Sequence, residues 1–267
     1  MLREDGSVVD VSGLVGEYDG VFFAEGGLDR LRRELDGRDL PTVDVDAERV
    51  GPCVARPPKV VCIGLNYRDH AEESGQSVPT EPVVFFKAPN AVVGPYDDVR
   101  IPRGSEKTDW EVELGIVIGR EARYLDDESA ALAVIAGYTV SHDVSERAFQ
   151  LERGGQWVKG KSCETFNPLG PWLVTPDEVP DVQALSLTLT LNGDTMQAGT
   201  TADMIFSAAH VVWYLSQFMV LEPGDLVNTG TPAGVGMGRG RYLRAGDVTE
   251  LEVEGLGRQR SRFVPAP

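Results

Sequence analysis

Asp109-Trp110-Glu111-Val112-Glu113-Leu114-Gly115-Ile116-Val117-Ile118-Gly119 is an apolar, strand-like run interrupted by two carboxylates two residues apart. Strand side chains alternate between faces, so Glu111 and Glu113 point the same way. Further on, a second apolar run from Ala133 to Val140 leads to His142-Asp143, and a polar segment from Val144 to Gly154 follows. Two such strands bring three carboxylates, Glu111, Glu113 and Asp143, to one point. Acids converging inside a fold repel one another unless a cation holds them. An all-oxygen site with positions left for water suits Mg2+ or Mn2+.

Beyond Asp143, Arg147 and Gln150 fall at +4 and +7, one face of a helix, so the three can line one site. The same letters have plainer readings. Asp143-Val144-Ser145-Glu146 fits a capping box in which Asp143 is only an N-cap, and outward-facing acids are common on half-buried strands. At this point both readings stand.

Upstream, Val60 to Gly64 reads as a buried strand, Asn66 to Gly75 as a short polar helix with a glycine stop, and Val83 to Lys87 as another strand. Residues 1–57 hold short apolar clusters, a charged helix candidate from Leu28 to Leu35 and a proline-rich junction at Pro52, Pro57 and Pro58. They read as a small N-terminal subdomain before a catalytic domain over 58–267. Downstream, Leu185 to Leu191 alternates, Asn192-Gly193 supplies a hairpin turn, and Thr195 to Ala198 returns. Ser207 to Met219 has the spacing of an amphipathic helix with His210 off its apolar stripe, which marks a surface or packing histidine. Strands at Val248 to Val253 and Arg258 to Val264 complete the chain.

Two motifs mislead. Gly155 to Ser162 matches the P-loop pattern letter for letter. A P-loop needs a strand before it and a helix after it, whereas here a charged helical segment precedes, and Pro168 and Pro171 discourage a helix behind. The glycines at 230, 234, 236, 238 and 240 give no dinucleotide fingerprint, because Arg239 and Arg241 occupy the third positions. That loop reads as a close backbone approach to a ligand or a neighbouring strand.

Composition narrows the partners. Across 267 residues, 25 basic side chains face 42 acidic ones, a net charge of −17 that repels nucleic acid and anionic membranes. Cys53, Cys62 and Cys163 are widely spaced with no C-x-x-C, which fits a reducing compartment. No run approaches the ~20 apolar residues of a membrane span, and the first residues lack a signal-peptide core, so a cytoplasmic protein is expected.

Taken together, Gly64-Leu65-Asn66-Tyr67 with His70 and Glu73, the Glu111-x-Glu113 strand, Asp143 with Arg147 and Gln150, Trp157 with Lys161, and Gly230-Thr231-Pro232 resemble the fumarylacetoacetate hydrolase family, from about Lys59 to Phe263. The wording of Arg153 to Lys161 and of Ser216 to Met219 is most similar to the branch that hydrolyses 2,4-diketo-3-deoxy sugar acids. The resemblance implies a mixed, mainly β fold with α (α+β), a rolled, barrel-like sheet around the site, a divalent metal, usually Mg2+, and a homodimer. By position, Glu111, Glu113 and Asp143 would be the metal ligands. His70 and Glu73 would activate water, on a segment that in the family often orders only over substrate. Arg147, Gln150, Lys161 and Thr231 would bind a small anionic 2-oxo acid, with Lys161 also catalytic.

The chemistry has its own footing. Cleaving a C–C bond beside a ketone leaves a carbanion that must be delocalised as an enolate, and a metal chelating the carboxylate and 2-oxo oxygen of an acylpyruvate stabilises that charge. Three carboxylates, one divalent ion, Arg147 and Lys161 leave the site at +1, which suits an anionic substrate despite the acidic whole. The expected activity is hydrolysis of a 2,4-dioxo acid to pyruvate or a similar 2-oxo acid. Oxaloacetate decarboxylation or keto-enol isomerisation would use the same half-reaction, Lys161 permits a Schiff base, and a non-catalytic ligand-binding module is the reading from a different class.

Overall fold

The computed structural model describes residues 1–3, 5–35, 38–45 and 47–267. Near the N-terminus lie α1 (Gly20–Ala24) and α2 (Gly27–Leu35). The Asp19 carboxylate caps α1 by accepting from Phe22 N at 3.0 Å. Phe22, Phe23 and Leu31 pack with Val9 and Val11 into a cluster that also takes in Val60, Cys62, Val117 and Leu226 of the sheet beyond.

Strand β1 (Val60–Gly64) leads into α3 (Arg68–Glu73), and β2 (Val83–Lys87) returns antiparallel to β1. Short strands β3 (Val92–Val93) and β4 (Val99–Ile101) follow. The run expected as one strand from Asp109 is two, β5 (Thr108–Asp109) and β6 (Val112–Ile118). Between them Trp110 is buried, its indole N–H donating to Gly234 O at 3.1 Å, while the Asp109 carboxylate accepts from Trp110 N at 2.8 Å. These bonds accompany a break in the strand at Trp110 and Glu111.

Next come α4 (Glu128–Leu132), β7 (Ile135–His142), β8 (Ser145–Glu146), α5 (Arg147–Leu151), α6 (Val158–Lys161) and β9 (Asn167–Pro168). The hairpin of β10 (Ser186–Leu191) and β11 (Asp194–Thr200) turns at Asn192 and Gly193, both at positive φ (54° and 88°), as a tight two-residue turn requires. Helix α7 (Ala208–Ser216) stops short of Met219; the Ser216 hydroxyl turns back to donate to Trp213 O. The chain ends with β12 (Leu226–Asn228), α8 (Gly236–Arg239), β13 (Val248–Val253) and β14 (Gly257–Pro265).

Two five-stranded sheets result, in the orders β2-β1-β12-β6-β7 and β11-β10-β13-β14-β4. Alternation sends Val61, Ile63, Leu114, Ile116 and Val140 of the first sheet into the main core, with Leu187, Leu189, Leu251 and Val253 of the second. The opposite face of the first sheet carries Cys62 across from Phe85, Asn228 across from Gly115, and Glu113 across from Ser141.

Strands β2 and β7 are its opposite edges, yet Lys87 at the end of β2 donates to Asp143, the residue after β7. The first sheet is therefore curled around this face, though neither sheet closes into a barrel. Inside the curl, Ser141 Oγ donates to Asn228 Oδ1 (2.8 Å), Asn228 Nδ2 to Asn167 Oδ1 (2.9 Å) and Asn167 Nδ2 to Ser141 Oγ (2.9 Å). This closed polar ring satisfies its own buried groups on the same face as Glu113.

Candidate active site

Glu111, Glu113 and Asp143 are buried, and one oxygen of each lies within 4.8 Å of the others. Asp143 is no helix cap. Its carboxylate accepts from Lys87 Nζ and, at 2.8 Å, from Lys161 Nζ, while α5 starts at Arg147 under Glu146, whose side chain accepts from Ala148 N. Lys161 also donates to Glu111 (2.8 Å), and Arg147 Nη2 pairs with Glu111 at 2.7 Å. Glu113 accepts from Gly230 N at 2.9 Å.

Arg147 and Gln150 stand one turn apart on α5, with Arg147 Nη1 donating to Gln150 Oε1 at 3.1 Å. Thr231 is buried, its hydroxyl donating to Val112 O and accepting from Gln197 Nε2. On α3, His70 Nδ1 lies 3.6 Å from Glu73 Oε2, just beyond hydrogen-bond length, and the loop that holds Glu73 through Gly234 N also holds Glu113 through Gly230 N. Arg147, Gln150 and Lys161 thus meet the three acids directly or through one another, whereas Thr231 follows the glycine that caps Glu113, and His70 and Glu73 reach the site through the same loop.

Three contributors went unread in the sequence. Lys87 ends an apolar strand, and only its complete burial marks it as more than a strand terminus. Asp109 accepts from Arg147 Nε (2.8 Å), Gly236 N (2.6 Å) and Met237 N (2.9 Å), and so orients the arginine. Gln197 comes from a hairpin far along the chain.

The glycine-rich loop approaches two carboxylates as well as backbone. Gly234 N donates to both oxygens of Glu73. A Cβ on Gly238 would sit 2.5 Å from the Glu73 carboxyl carbon, one on Gly236 2.6 Å from Asp109 Oδ1, and one on Gly234 2.1 Å from Met196 O. In the P-loop look-alike, α6 occupies the motif itself and Lys161 is committed to carboxylates. His210 lies partly exposed with Nδ1 2.9 Å from Glu128. All three cysteines are free, with Cys62 buried and Cys53 and Cys163 half-buried.

The electrostatics are those of a site built around positive charge. Burial alone would raise the Glu111 carboxyl, but Lys161 and Arg147 overcome it and hold Glu111 well below the usual carboxylate range. Glu113 goes the other way: burial, then the charges of Asp143 and Glu111, push it well above that range. Burial opposes the charge of Lys161, yet Asp143 and Glu111 hold its ammonium above its ordinary value. Asp109 and Lys87, one acid and one base, cancel, so a divalent ion still leaves the site at +1.

Residues 59–264 match the family described as fumarylacetoacetate (FAA) hydrolase, C-terminal. The chain belongs to the fumarylacetoacetate hydrolase family. A Burkholderia multivorans protein, described no more closely than as a hydrolase, is 52% identical over 97% of this chain and 92% of its own. The solved fumarylacetoacetate hydrolase of Exiguobacterium antarcticum is 32% identical, with TM-score 0.85 over 99% of this chain and 94% of that one. A 2-hydroxyhepta-2,4-diene-1,7-dioate isomerase from Mycobacterium marinum is 36% identical, with TM-score 0.74 over 86% of this chain and 82% of its own. Among the described residues no helix is long and apolar enough to cross a membrane.

Enzymes of this family depend on a divalent metal, and the residues present fit one: three buried carboxylates, all oxygen donors, with Glu113 at a charge deficit that a cation relieves. The raised Glu113 carboxyl has a pH consequence. In the metal-free protein it keeps its proton above the usual carboxylate range, and an ion must displace that proton. Mg2+ affinity is therefore expected to rise with pH from that range up to the raised Glu113 value, with release approaching about one proton per ion. Calorimetry in buffers of different ionisation enthalpy measures the release; an affinity flat with pH would contradict it.

Proposed function

We propose that this protein is an Mg2+- or Mn2+-dependent hydrolase that cleaves the C–C bond of a 2,4-dioxo acid, an acylpyruvate or a 2,4-diketo-3-deoxy sugar acid, releasing pyruvate or a similar 2-oxo acid. The observation that carries the reading is the meeting of Arg147, Gln150 and Lys161 at the buried carboxylate triad, with the loop that caps Glu113 through Gly230 also holding Glu73, beside His70, through Gly234. A divalent ion bound there supplies Lewis-acid stabilisation of negative charge on the substrate oxygens.

The protein's own groups do the rest. Arg147, aimed by Asp109, and Gln150 bind the substrate carboxylate, while Lys161 and Thr231 face the 2-oxo end. His70 turns Nδ1 toward Glu73, which leaves Nε2 to take a proton from water. The resulting hydroxide adds to the C4 carbonyl, the C3–C4 bond breaks, and its electron pair delocalises toward the 2-oxo group. Protonation at C3 then releases the 2-oxo acid, and the acyl carbon leaves as a carboxylic acid.

A second reading has specific support, because one relative of known structure is described as an isomerase. With water withheld, the same base would move a proton between substrate carbons. Oxaloacetate decarboxylation shares the same stabilised product.

The test is release of pyruvate from acylpyruvates, 2,4-diketo-3-deoxy sugar acids and oxaloacetate, after EDTA treatment and after Mg2+ or Mn2+ is restored. Metal-restored cleavage of a 2,4-dioxo acid is expected, from a homodimer of about twice the 29.0 kDa chain mass by light scattering. Metal bound with no turnover of any of them would sink the hydrolase reading.

A further inference from the structure

Cys62 of β1 is paired with Phe85 of β2, so both point into the curl that holds Glu113 and Lys87. Lys161 Nζ sits 5.0 Å above the Phe85 ring while bridging Glu111 and Asp143. Trp157, one turn before Lys161, meets Phe85 edge to face at 5.2 Å. The tip of its indole lies over Gly64: a Cβ there would be 2.7 Å from the Trp157 ring and 3.6 Å from Val83. Gly64 has no positive φ, so its backbone does not demand glycine; room for the indole does. Phe85 and Trp157 are each only half-buried.

We propose that Phe85 and Trp157 form the wall that receives the acyl portion of the substrate, and that this portion is apolar, an aryl or branched alkyl group. The inference rests on the 2,4-dioxo acid reading above. A 2-oxo acid held at Lys161 lies against the ring that this ammonium covers, so its far end runs over Phe85 toward Trp157. Val83, Gly64, Phe85 and Trp157 together offer a single side-chain polar atom, the indole N–H. A polyhydroxylated chain laid there leaves hydroxyls without partners, whereas an apolar group removes exposed ring surface from water. The wall therefore selects against the sugar acids that the wording around Arg153 to Lys161 suggests.

The experiment is steady-state kinetics of the Mg2+-loaded enzyme on acetylpyruvate, benzoylpyruvate and a 2,4-diketo-3-deoxy sugar acid. Benzoylpyruvate is expected to exceed the other two in kcat/KM by about tenfold or more, through KM. Phe85→Ala should erase that advantage while lowering acetylpyruvate turnover far less; Phe85→Leu, which keeps an apolar side chain, should restore part of it and serves alone if the alanine variant does not fold. Preference for the sugar acid, or an equal loss on every substrate in both variants, overturns the wall. Should no 2,4-dioxo acid be turned over, the hydrolase reading fails separately. Calorimetric binding of the same acids to the metal-loaded protein then decides: an apolar preference lost in Phe85→Ala and partly kept in Phe85→Leu upholds the wall, and equal affinities in the unmodified protein overturn it.

Discussion

Asp143→Asn is expected to abolish measurable Mg2+ binding and to lower kcat/KM by about 10³-fold, since a bound Lewis acid is worth several kcal/mol of transition-state stabilisation and each ~1.4 kcal/mol is tenfold in rate. The variant should also melt at lower temperature. Asp143 supplies the negative charge facing two buried ammonium groups, Lys87 and Lys161, and breaking a buried ion pair costs about 3–5 kcal/mol. Glu113→Gln separates the two effects. Among the described residues Glu113 accepts a hydrogen bond from Gly230 N alone, and the charges of Asp143 and Glu111 already oppose its own. That variant should lose the metal while keeping or raising its melting temperature. Calorimetry and thermal melts with and without Mg2+ measure both; wild-type metal affinity in either variant would remove that carboxylate from the ligand set.

His70→Ala is expected to reduce hydrolysis by about 10²–10⁴-fold, the usual worth of a positioned general base, with Mg2+ affinity unchanged. The histidine sits on α3, whose other end is pinned where Gly234 N grips Glu73. Burial raises the Glu73 carboxyl, but His70 and Gly234 overcome it, so Glu73 stays ionised and able to orient an imidazole. Hydrolysis lost with oxaloacetate decarboxylation retained would place His70 on the water. Loss of both to the same degree would point to a proton transfer common to the two reactions, and full hydrolysis would remove His70 from the mechanism.

The acidic pair was legible because alternation along a strand is a local rule, and although β6 begins at Val112, the bond from Asp143 N to Glu111 O carries the pairing one residue further, to Glu111. What lay beyond local rules was hidden. The break at Trp110 and Glu111 accompanies the reach of Gly234 O to the Trp110 indole, across more than a hundred residues of chain. Asp143 carried two meanings until Lys87 and Lys161 were found on its carboxylate, and Lys87 gets there only because the sheet curls. Asp109 stood in the very run that opened the reading. Its role depends on amides of a loop whose glycines pointed to close approach of a ligand or a neighbouring strand, and the carboxylates they also meet were not foreseen. The N-terminal segment carried no motif, and Val21 to Phe23 became helix through the Asp19 cap.

The place of β12 bears on when the enzyme becomes active during its synthesis. This strand sits between β1 and β6 in the first sheet, yet it pairs Val60 with Leu226. On the ribosome, the strands that flank it are made early and have no common neighbour until residue 228 has emerged. Pairing at such sequence separation is slow. Gly230, which grips Glu113, and Gly234, which grips Glu73, emerge later still. The nascent chain therefore holds all three acidic side chains long before it holds the pocket around them, which waits for Gly230 and Gly234 to emerge.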